Sequence, residues 1–262
     1  MANVKIYACD TSFITYTMSA TENISYPLAN LNAYMPDITY WKSSSSANAQ
    51  SLKIDAPVVA GNTAGKTFVA VDGHNFAAIV SAGGQVKIQY AADSGFTTSV
   101  VTVFDTATDT VNNSLVVEFA STTRRYFRIY YVTTGGVTPQ VGLFWLGNIM
   151  DFGYPYNFNS KTGNSEYVTD EEAAIDGRLR SSQIFKGRKK WEIDYVLLPT
   201  TTKDTFRLTF DTARGKLYPV YYCDPSSVLY FVKFCDDYIP PEEFRNNVNN
   251  IRTFTLRSVL VS

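Results

Sequence analysis

The chain of 262 residues is poor in the side chains on which most enzyme and metal sites depend. It has one histidine, His74, and three cysteines, Cys9, Cys223 and Cys235, with neither CxxC nor zinc-ligand spacing. A catalytic triad or an imidazole metal site would have to use His74, which lies in a turn-like Asp-Gly-His-Asn segment. No calcium-loop or phosphate-loop motif occurs. The sequence therefore predicts a protein that is not an enzyme and that has no metal site and no cofactor.

Charge and long apolar runs are also scarce. Charged residues make up 18% of the chain and the formal net charge is -1, so no overall field attracts nucleic acid or anionic lipid. No window approaches a membrane-spanning run, and the start MANVKIYACDTSFITY lacks a charged segment followed by an apolar one. We therefore expect no membrane insertion, with synthesis and folding in the cytoplasm.

Aromatic residues, in contrast, are abundant, with 18 Tyr and 17 Phe. This composition favours strands over helical bundles. In the first half, short apolar or alternating segments are separated by Gly, Asn, Asp or Thr, with no helix-length amphipathic pattern between them. The predicted strands are 52–55, 68–71, 86–90, 100–104, 115–119, 126–132 and 141–146. This half is therefore predicted to be a β-sandwich.

The segment 184–225 combines strand, turn and helix signals. Lys186-Gly187-Arg188 is interpreted as the turn of a hairpin, and the alternation that begins at Trp191 indicates the strand after it. Between Pro199 and Gly215, near-helical spacing of Phe206, Phe210 and Ala213 indicates one short helix, although Phe206, Leu208 and Phe210 also alternate as in a strand. Further strands are predicted at 217–223, 228–234 and 252–260.

Several segments of the first half occur in the order found in a known family of domains. They are Trp41-Lys42-Ser43, Leu52 to Asp55, VAVDGHN (69–75), VKIQY (86–90), RYFRI (125–129) and GLFWLG (142–147). In this order they resemble discoidin-like (F5/8 type C, galactose-binding-like) jelly-roll domains, above all those carried by bacteriophage virion proteins. The resemblance implies a discoidin-like β-sandwich domain over residues 1–150.

The second half has a weaker resemblance of its own. A hairpin rich in Arg and Lys, a short helix, Arg214 to Pro219, Asp224-Pro225 and paired C-terminal strands resemble the tail-tube-like β-barrel of phage distal tail and minor tail proteins. The implied fold class is all-β, with a tail-tube-like domain over 151–262. The implied function is that of a virion structural protein of the tail or baseplate. It would form a ring of identical subunits, such as a hexamer, around the tail lumen and contact tail-tube, hub and fibre proteins.

The alternative function is a carbohydrate-binding β-sandwich module that attaches to a host-surface glycan. Three aromatic residues, Tyr34, Tyr40 and Trp41, form a candidate ligand rim, although a place in the sandwich core is favoured for Trp41.

For the ring, a dense positive set is the candidate subunit interface or lumen wall, with acidic residues of flanking loops as its counterpart. The basic residues are Arg178, Arg180, Lys186, Arg188, Lys189 and Lys190, and the acidic ones are Asp170, Glu171, Glu172, Asp236, Asp237, Glu242 and Glu243.

Overall fold

The computed structural model describes residues 3–9, 14–19, 22–32, 39–47, 49–57, 65–153, 161–173, 179–215, 217–235, 242–244 and 248–258. The chain divides into two compact units. The sandwich unit is Cys9–Ile149, and the discontinuous unit is Met1–Ala8 together with Met150–Ser262. The sequence placed residues 1–8 in the first domain, whereas the structure places them in the second unit. No helix among the described residues is long and apolar enough to cross a membrane.

The described elements are mostly short strands. The sandwich unit contains β2 (Thr15–Met18), β3 (Trp41–Lys42), β4 (Gln50–Asp55), β5 (Lys66–Asp72), α1 (Phe76–Ser81), β6 (Gln85–Ala91), β7 (Val101–Asp105), β8 (Leu115–Thr122), β9 (Tyr126–Thr133), β10 (Gln140–Val141) and most of β11 (Leu143–Asp151), with a 3-10 helix at Leu28–Asn32. The discontinuous unit contains β1 (Lys5–Ala8), β12 (Lys161–Ala173), β13 (Leu179–Pro199), α2 (Thr200–Thr212), β14 (Val220–Cys223), β15 (Leu229–Phe234), β16 (Glu242–Phe244) and β17 (Val248–Ser258).

Two antiparallel layers form the sandwich unit. One sheet has the order β2-β4-β9-β6-β7, and the strands β11, β5 and β8 pair in that order in the other layer. Alternate residues of each strand face inward, such as Leu52 and Ile54 of β4 and Phe127 and Ile129 of β9, all fully buried. They pack in one core cluster with apolar residues of the other layer, such as Phe144. The predicted β-sandwich is confirmed.

One helix of the sandwich unit escaped prediction. α1 has only six residues, of which Phe76 and Ile79 are buried, and this is too short for a helical period to emerge. Gly83 ends it at φ +81°, and the N–H of Gly84 donates to the carbonyl of Ile79 at 2.8 Å. The glycine pair Gly83-Gly84 therefore belongs to a helix end.

In the discontinuous unit, one antiparallel sheet includes strands from both ends of the chain. The order is β12-β13-β17-β15-β14-β1, with β16 paired to β17. β1 lies antiparallel to β14, with Ile6 opposite Tyr222, and it contributes Val4 and Ile6 to the unit's core as fully buried side chains. Residues 4–8 thus complete a core that is made mainly by side chains between Met150 and Leu256.

Helix α2 packs on this core as predicted. Phe206 is 4% exposed and Ala213 is 1% exposed, whereas Leu208 is 65% exposed. A helix turns about 100° per residue, so Leu208 points away from the face that carries Phe206. In a strand, the two side chains would lie on the same face. Gly215, at φ +64°, donates its N–H to the carbonyl of Phe210 and stops the helix. The helical interpretation is therefore confirmed over the strand alternative.

The predicted turn at Lys186-Gly187-Arg188 is wrong. These residues lie inside the long strand β13, and the chain reverses between Ala173 and Leu179, which are paired. The register shifts between the pairs Glu166/Arg188 and Val168/Phe185, so Gly187 lies at an irregularity of the ladder. Glycine inside a strand often marks such a bulge. In the sequence, the glycine of a bulge is easily taken for the glycine of a turn.

Candidate functional site

Loops of the sandwich unit converge at one of its ends. The register places Met18 opposite Leu52, Gln85 opposite Thr133, and Asp72 opposite Leu143. The segments 19–40, 43–49, 73–84 and 134–142 therefore emerge from the same end of the two layers. The Asn75 amide fixes two points of this end, because its Nδ2 donates to the carbonyl of Thr138 at 2.8 Å and its Oδ1 accepts the N–H of Gln140 at 3.0 Å.

Backbone pairing fixes the position of two tyrosines in this end. The N–H of Lys42 donates to the carbonyl of Tyr26 at 3.2 Å, and a bridge joins Glu22 to Ser43. The segment 22–26 is thereby held alongside β3, directly after Tyr40. The Asn30 Nδ2 donates to the Tyr40 carbonyl at 2.9 Å and holds the other side of the loop. The two tyrosines become neighbours although 13 residues separate them in the sequence.

The rings of Tyr26 and Tyr40 stack nearly parallel. Their centroids are 4.7 Å apart and their planes differ by 11°. Interaction of its hydroxyl with that of Tyr26 raises the pKa of Tyr40. The Lys42 Nζ lies 5.9 Å from the Tyr26 ring centroid. We call Tyr26, Tyr40, Lys42 and Asn30 the tyrosine rim: it joins flat apolar faces, paired hydroxyls and a cation.

The structure separates two of the predicted rim residues, Tyr40 and Trp41. Tyr40 is half-buried in the tyrosine rim, whereas Trp41 is 1% exposed and belongs to the sandwich core. Trp41 therefore has no face to offer to a ligand, because consecutive strand residues point to opposite sides. Tyr34 lies outside the described residues. Tyr26 could not be identified from the sequence. It reaches the site only because its backbone pairs with that of Lys42, and this pairing is not a local feature.

The predicted basic set is spread along one strand. Arg178 lies outside the described residues, and the others belong to β13, where Arg180 lies opposite Glu172 and Arg188 opposite Glu166 of β12. Lys190 forms an ion pair with Glu192 at 2.9 Å, and the Lys189 Nζ lies 5.2 Å from the Tyr230 ring centroid.

The predicted acidic loops are therefore partly wrong. Asp170, Glu171 and Glu172 belong to strand β12, next to the basic strand, and Glu242 and Glu243 belong to β16. Asp236 and Asp237 lie outside the described residues.

His74 supports α1 from the preceding turn. Its Nδ1 accepts the N–H of Phe76 at 3.3 Å, and its ring stacks on that of Phe76 at 4.1 Å. Burial lowers its pKa to about 4, against the opposite effect of the Asn112 carbonyl. In the part of the chain that the structure describes, no three His, Cys, Asp or Glu side chains come together as a metal site.

No family model and no curated protein matches the sequence. Solved structures similar to part of the chain include chitosan-binding module 1 of a chitosanase/glucanase from Paenibacillus sp. IK-5, at 18% identity and TM-score 0.42, covering 53% of this chain and 98% of that one. Another is the family 32 carbohydrate-binding module of C. perfringens NanJ in complex with galactose, at 17% identity and TM-score 0.40, covering 55% and 99%. A third is a GH29 fucosidase of Ruminococcus gnavus, at 17% identity and TM-score 0.39, covering 52% and 25%. Similarity at this level assigns neither a family nor a ligand to the chain.

Proposed function

We propose that the sandwich unit is a non-catalytic module that binds a saccharide at the tyrosine rim. The stacked pair of Tyr26 and Tyr40 carries this proposal. A sugar ring has an apolar face of C–H groups and an edge of hydroxyls. An aromatic face can cover the first, while tyrosine hydroxyls and amide groups bind the second.

The burial pattern supports a surface role for the two rings. Both tyrosines are half-buried, and neither belongs to the sandwich core or to the partly buried residues that pack on it. Their contact with each other does not need a ligand, but it fixes the ring planes in advance. A pre-ordered aromatic surface loses less conformational entropy when a ligand binds.

The proposal is tested with Tyr40→Ala in calorimetric titrations and on a glycan array. We expect the variant to lose roughly tenfold in affinity for the saccharide that the wild-type chain binds, since an aromatic contact contributes about 0.5–1.5 kcal/mol beyond its buried area. Tyr126→Ala is the matched control, because Tyr126 begins β9 at the opposite end of the sandwich. Saccharide binding that survives Tyr40→Ala, or a wild-type chain that binds no glycan on the array, would refute the proposal.

A second proposed function, assembly into a phage-tail ring through the discontinuous unit, is favoured by the hairpin of β12 and β13. These strands have 13 and 21 residues, against about 5–6 for an average strand. β17 pairs with β13 only from Lys190 onward, so among the described residues the strand segments 165–173 and 179–189 pair only with each other. A two-stranded ribbon is marginally stable alone in water, which favours its packing against another subunit.

This second proposal is tested by joint reversal of two charges, Lys186→Glu and Arg188→Glu, which leaves the described contacts of Lys189 and Lys190 in place. We expect loss of ring assembly in electron micrographs with an unchanged circular dichroism spectrum. The joint variant Arg124→Glu with Arg207→Glu introduces the same charge change at exposed positions elsewhere. A wild-type chain that stays monomeric, or rings that form equally well with both pairs of substitutions, would contradict it.

A further inference from the structure

A row of polar side chains crosses the outer face of the five-stranded sheet. The register aligns one residue from each strand, in the order Thr17, Lys53, Arg128, Gln89 and Thr102. Their sequence neighbours, such as Leu52 and Phe127, point into the core, so the row faces away from it. This face is distinct from the tyrosine rim, and binding to it does not require saccharide binding at the rim.

Arg128 is held in one orientation at the centre of the row. Its Nε and Nη2 donate to Gln89 Oε1 at 2.9 and 2.7 Å, and the Gln89 Nε2 donates to Thr102 Oγ1 at 2.9 Å. Its Cζ lies 4.2 Å from the ring centroids of both Phe96 and Tyr130. These contacts engage Nε and one N–H of Nη2 and bring two aromatic rings close to the guanidinium, and they leave Nη1 and the second N–H of Nη2 as an edge for another ligand.

The loop that supplies Phe96 adopts an unusual conformation. Phe96 has φ +56°, a left-handed backbone that bulky residues rarely adopt, and its side chain is 7% exposed. The Asp93 carboxylate holds the loop by accepting the backbone N–H groups of Thr97 and Thr98. The same loop receives Lys53, whose Nζ donates to the Ser94 carbonyl at 3.1 Å and lies 5.6 Å from the Phe96 centroid.

The two cations of the row lack a carboxylate partner among the described residues. Lys53 and Arg128 are directly opposite on β4 and β9, an arrangement of like charges that is unfavourable. The nearby carboxylates are engaged elsewhere: Asp55 binds Arg125 through both oxygens, and Asp105 lies 3.2 Å from Lys87. Burial lowers the pKa of Arg128, so the charged guanidinium is partly desolvated without an anion beside it.

We propose that Lys53 and Arg128 form an anion site for a carboxylate or sulfate group of an acidic saccharide. The free edge of the guanidinium can donate two parallel hydrogen bonds to such an oxyanion, and the lysine adds a second positive charge next to it. The hydroxyls of Thr102 and Thr17 suit the neutral hydroxyls of the same sugar. Acidic residues outnumber basic ones in residues 9–149, which disfavours a long polyanion such as nucleic acid and favours a ligand with local charge.

The test is calorimetric titration of the full chain at low salt with three size-matched probes: a heparin hexasaccharide, hexagalacturonate and maltohexaose. We expect binding of at least one acidic probe and weakening of that binding with added salt. The heparin and galacturonate titrations distinguish sulfate from carboxylate recognition. Lys53→Gln is the main variant because it removes a charge and leaves the Arg128 contacts with Gln89 and Tyr130 in place.

Lys53→Gln should weaken binding of the acidic probe on the order of fivefold, the effect of one charge pair near the surface. Arg128→Lys, which keeps the charge and removes the planar fork, should weaken it as well. Arg124→Gln removes an exposed cation of the same unit and should leave the affinity unchanged. No binding of either acidic probe, or equal losses in Lys53→Gln and Arg124→Gln, would overturn the proposal. These results are separable from the tyrosine rim, because Tyr40→Ala should leave this site intact.

Discussion

Acid should destabilise the sandwich unit through its one histidine. The folded environment lowers the pKa of His74 to about 4, from its ordinary value of 6.5 in the unfolded chain. The unfolded state therefore binds a proton more readily than the folded state. The stability contributed by the neutral form of His74 is fully present above pH 6.5. It falls as the pH drops from 6.5 towards 4, and below pH 4 it is lost completely.

The size of this effect follows from the two pKa values. At pH 5 the unfolded histidine is almost fully protonated and the folded one is almost fully neutral, so the unit loses about 2 kcal/mol relative to pH 8. Protonation of Nδ1 would also remove the acceptor of the Phe76 N–H. Asp93 affects stability at a lower pH. Its pKa is lowered, first of all by the backbone N–H of Thr97, so its contribution to stability is present above pH 3.8 and is lost at more acid pH.

The assay is urea unfolding at pH 8, 6.5 and 5, followed by tryptophan fluorescence, for the wild-type chain and for His74→Asn. Asn keeps an acceptor near the Phe76 N–H but does not titrate, so only the wild-type chain should lose the 2 kcal/mol of its free energy of unfolding at pH 5. An NMR titration of the single imidazole gives the folded pKa directly. A midpoint near 6.5, or parallel loss of stability in the two proteins, would refute the reasoning.

Five other substitutions test the packing by urea unfolding. Trp41→Ala should cost about 3–5 kcal/mol of the free energy of unfolding, as is typical of buried large aromatics; a variant as stable as wild type would put Trp41 outside the core. Phe206→Ala should cost a similar amount and Leu208→Ala less than about 0.5 kcal/mol, since the helix buries only the first; equal costs would contradict the helical packing. Gly135→Ala and Gly136→Ala should both be destabilised by their left-handed backbones, at about 1–2 kcal/mol, and Gly135→Ala further because the new Cβ would lie 2.4 Å from the Ala82 carbonyl oxygen; a more severe effect at Gly136 would be inconsistent with this geometry.

The strands of the sandwich unit could be predicted because their signal is local. Residues such as Leu52 and Ile54 alternate with polar neighbours at the period that one buried face requires, and the structure uses that face. Helix α2 could be predicted for the same reason, since Phe206 and Ala213 lie on one face and Gly215 ends the helix.

The features that escaped prediction depend on contacts between distant residues. Gly187 favours a turn in isolation, but pairing of β13 with β12 on either side of it fixes it in a strand. Tyr26 gains its role only because its backbone pairs with Lys42. In the sequence, Arg128 is only one of the polar residues that alternate with apolar ones along a strand. Its orientation comes from Gln89 on the neighbouring strand and from Phe96 on a loop.

The pairing of β1 with β14 sets the order in which the chain can fold during synthesis. A ribosome releases Lys5–Ala8 before Val220–Cys223, with more than two hundred residues between them, so β1 must wait for β14 while the whole sandwich unit emerges. The sandwich unit has every strand of its core in one continuous segment and can fold in the meantime. Its folding brings the two ends of that segment into fixed positions and shortens the effective loop between β1 and the later strands, which lowers the entropic cost of closing the second core. The sandwich unit thus serves the nascent chain as a folded spacer.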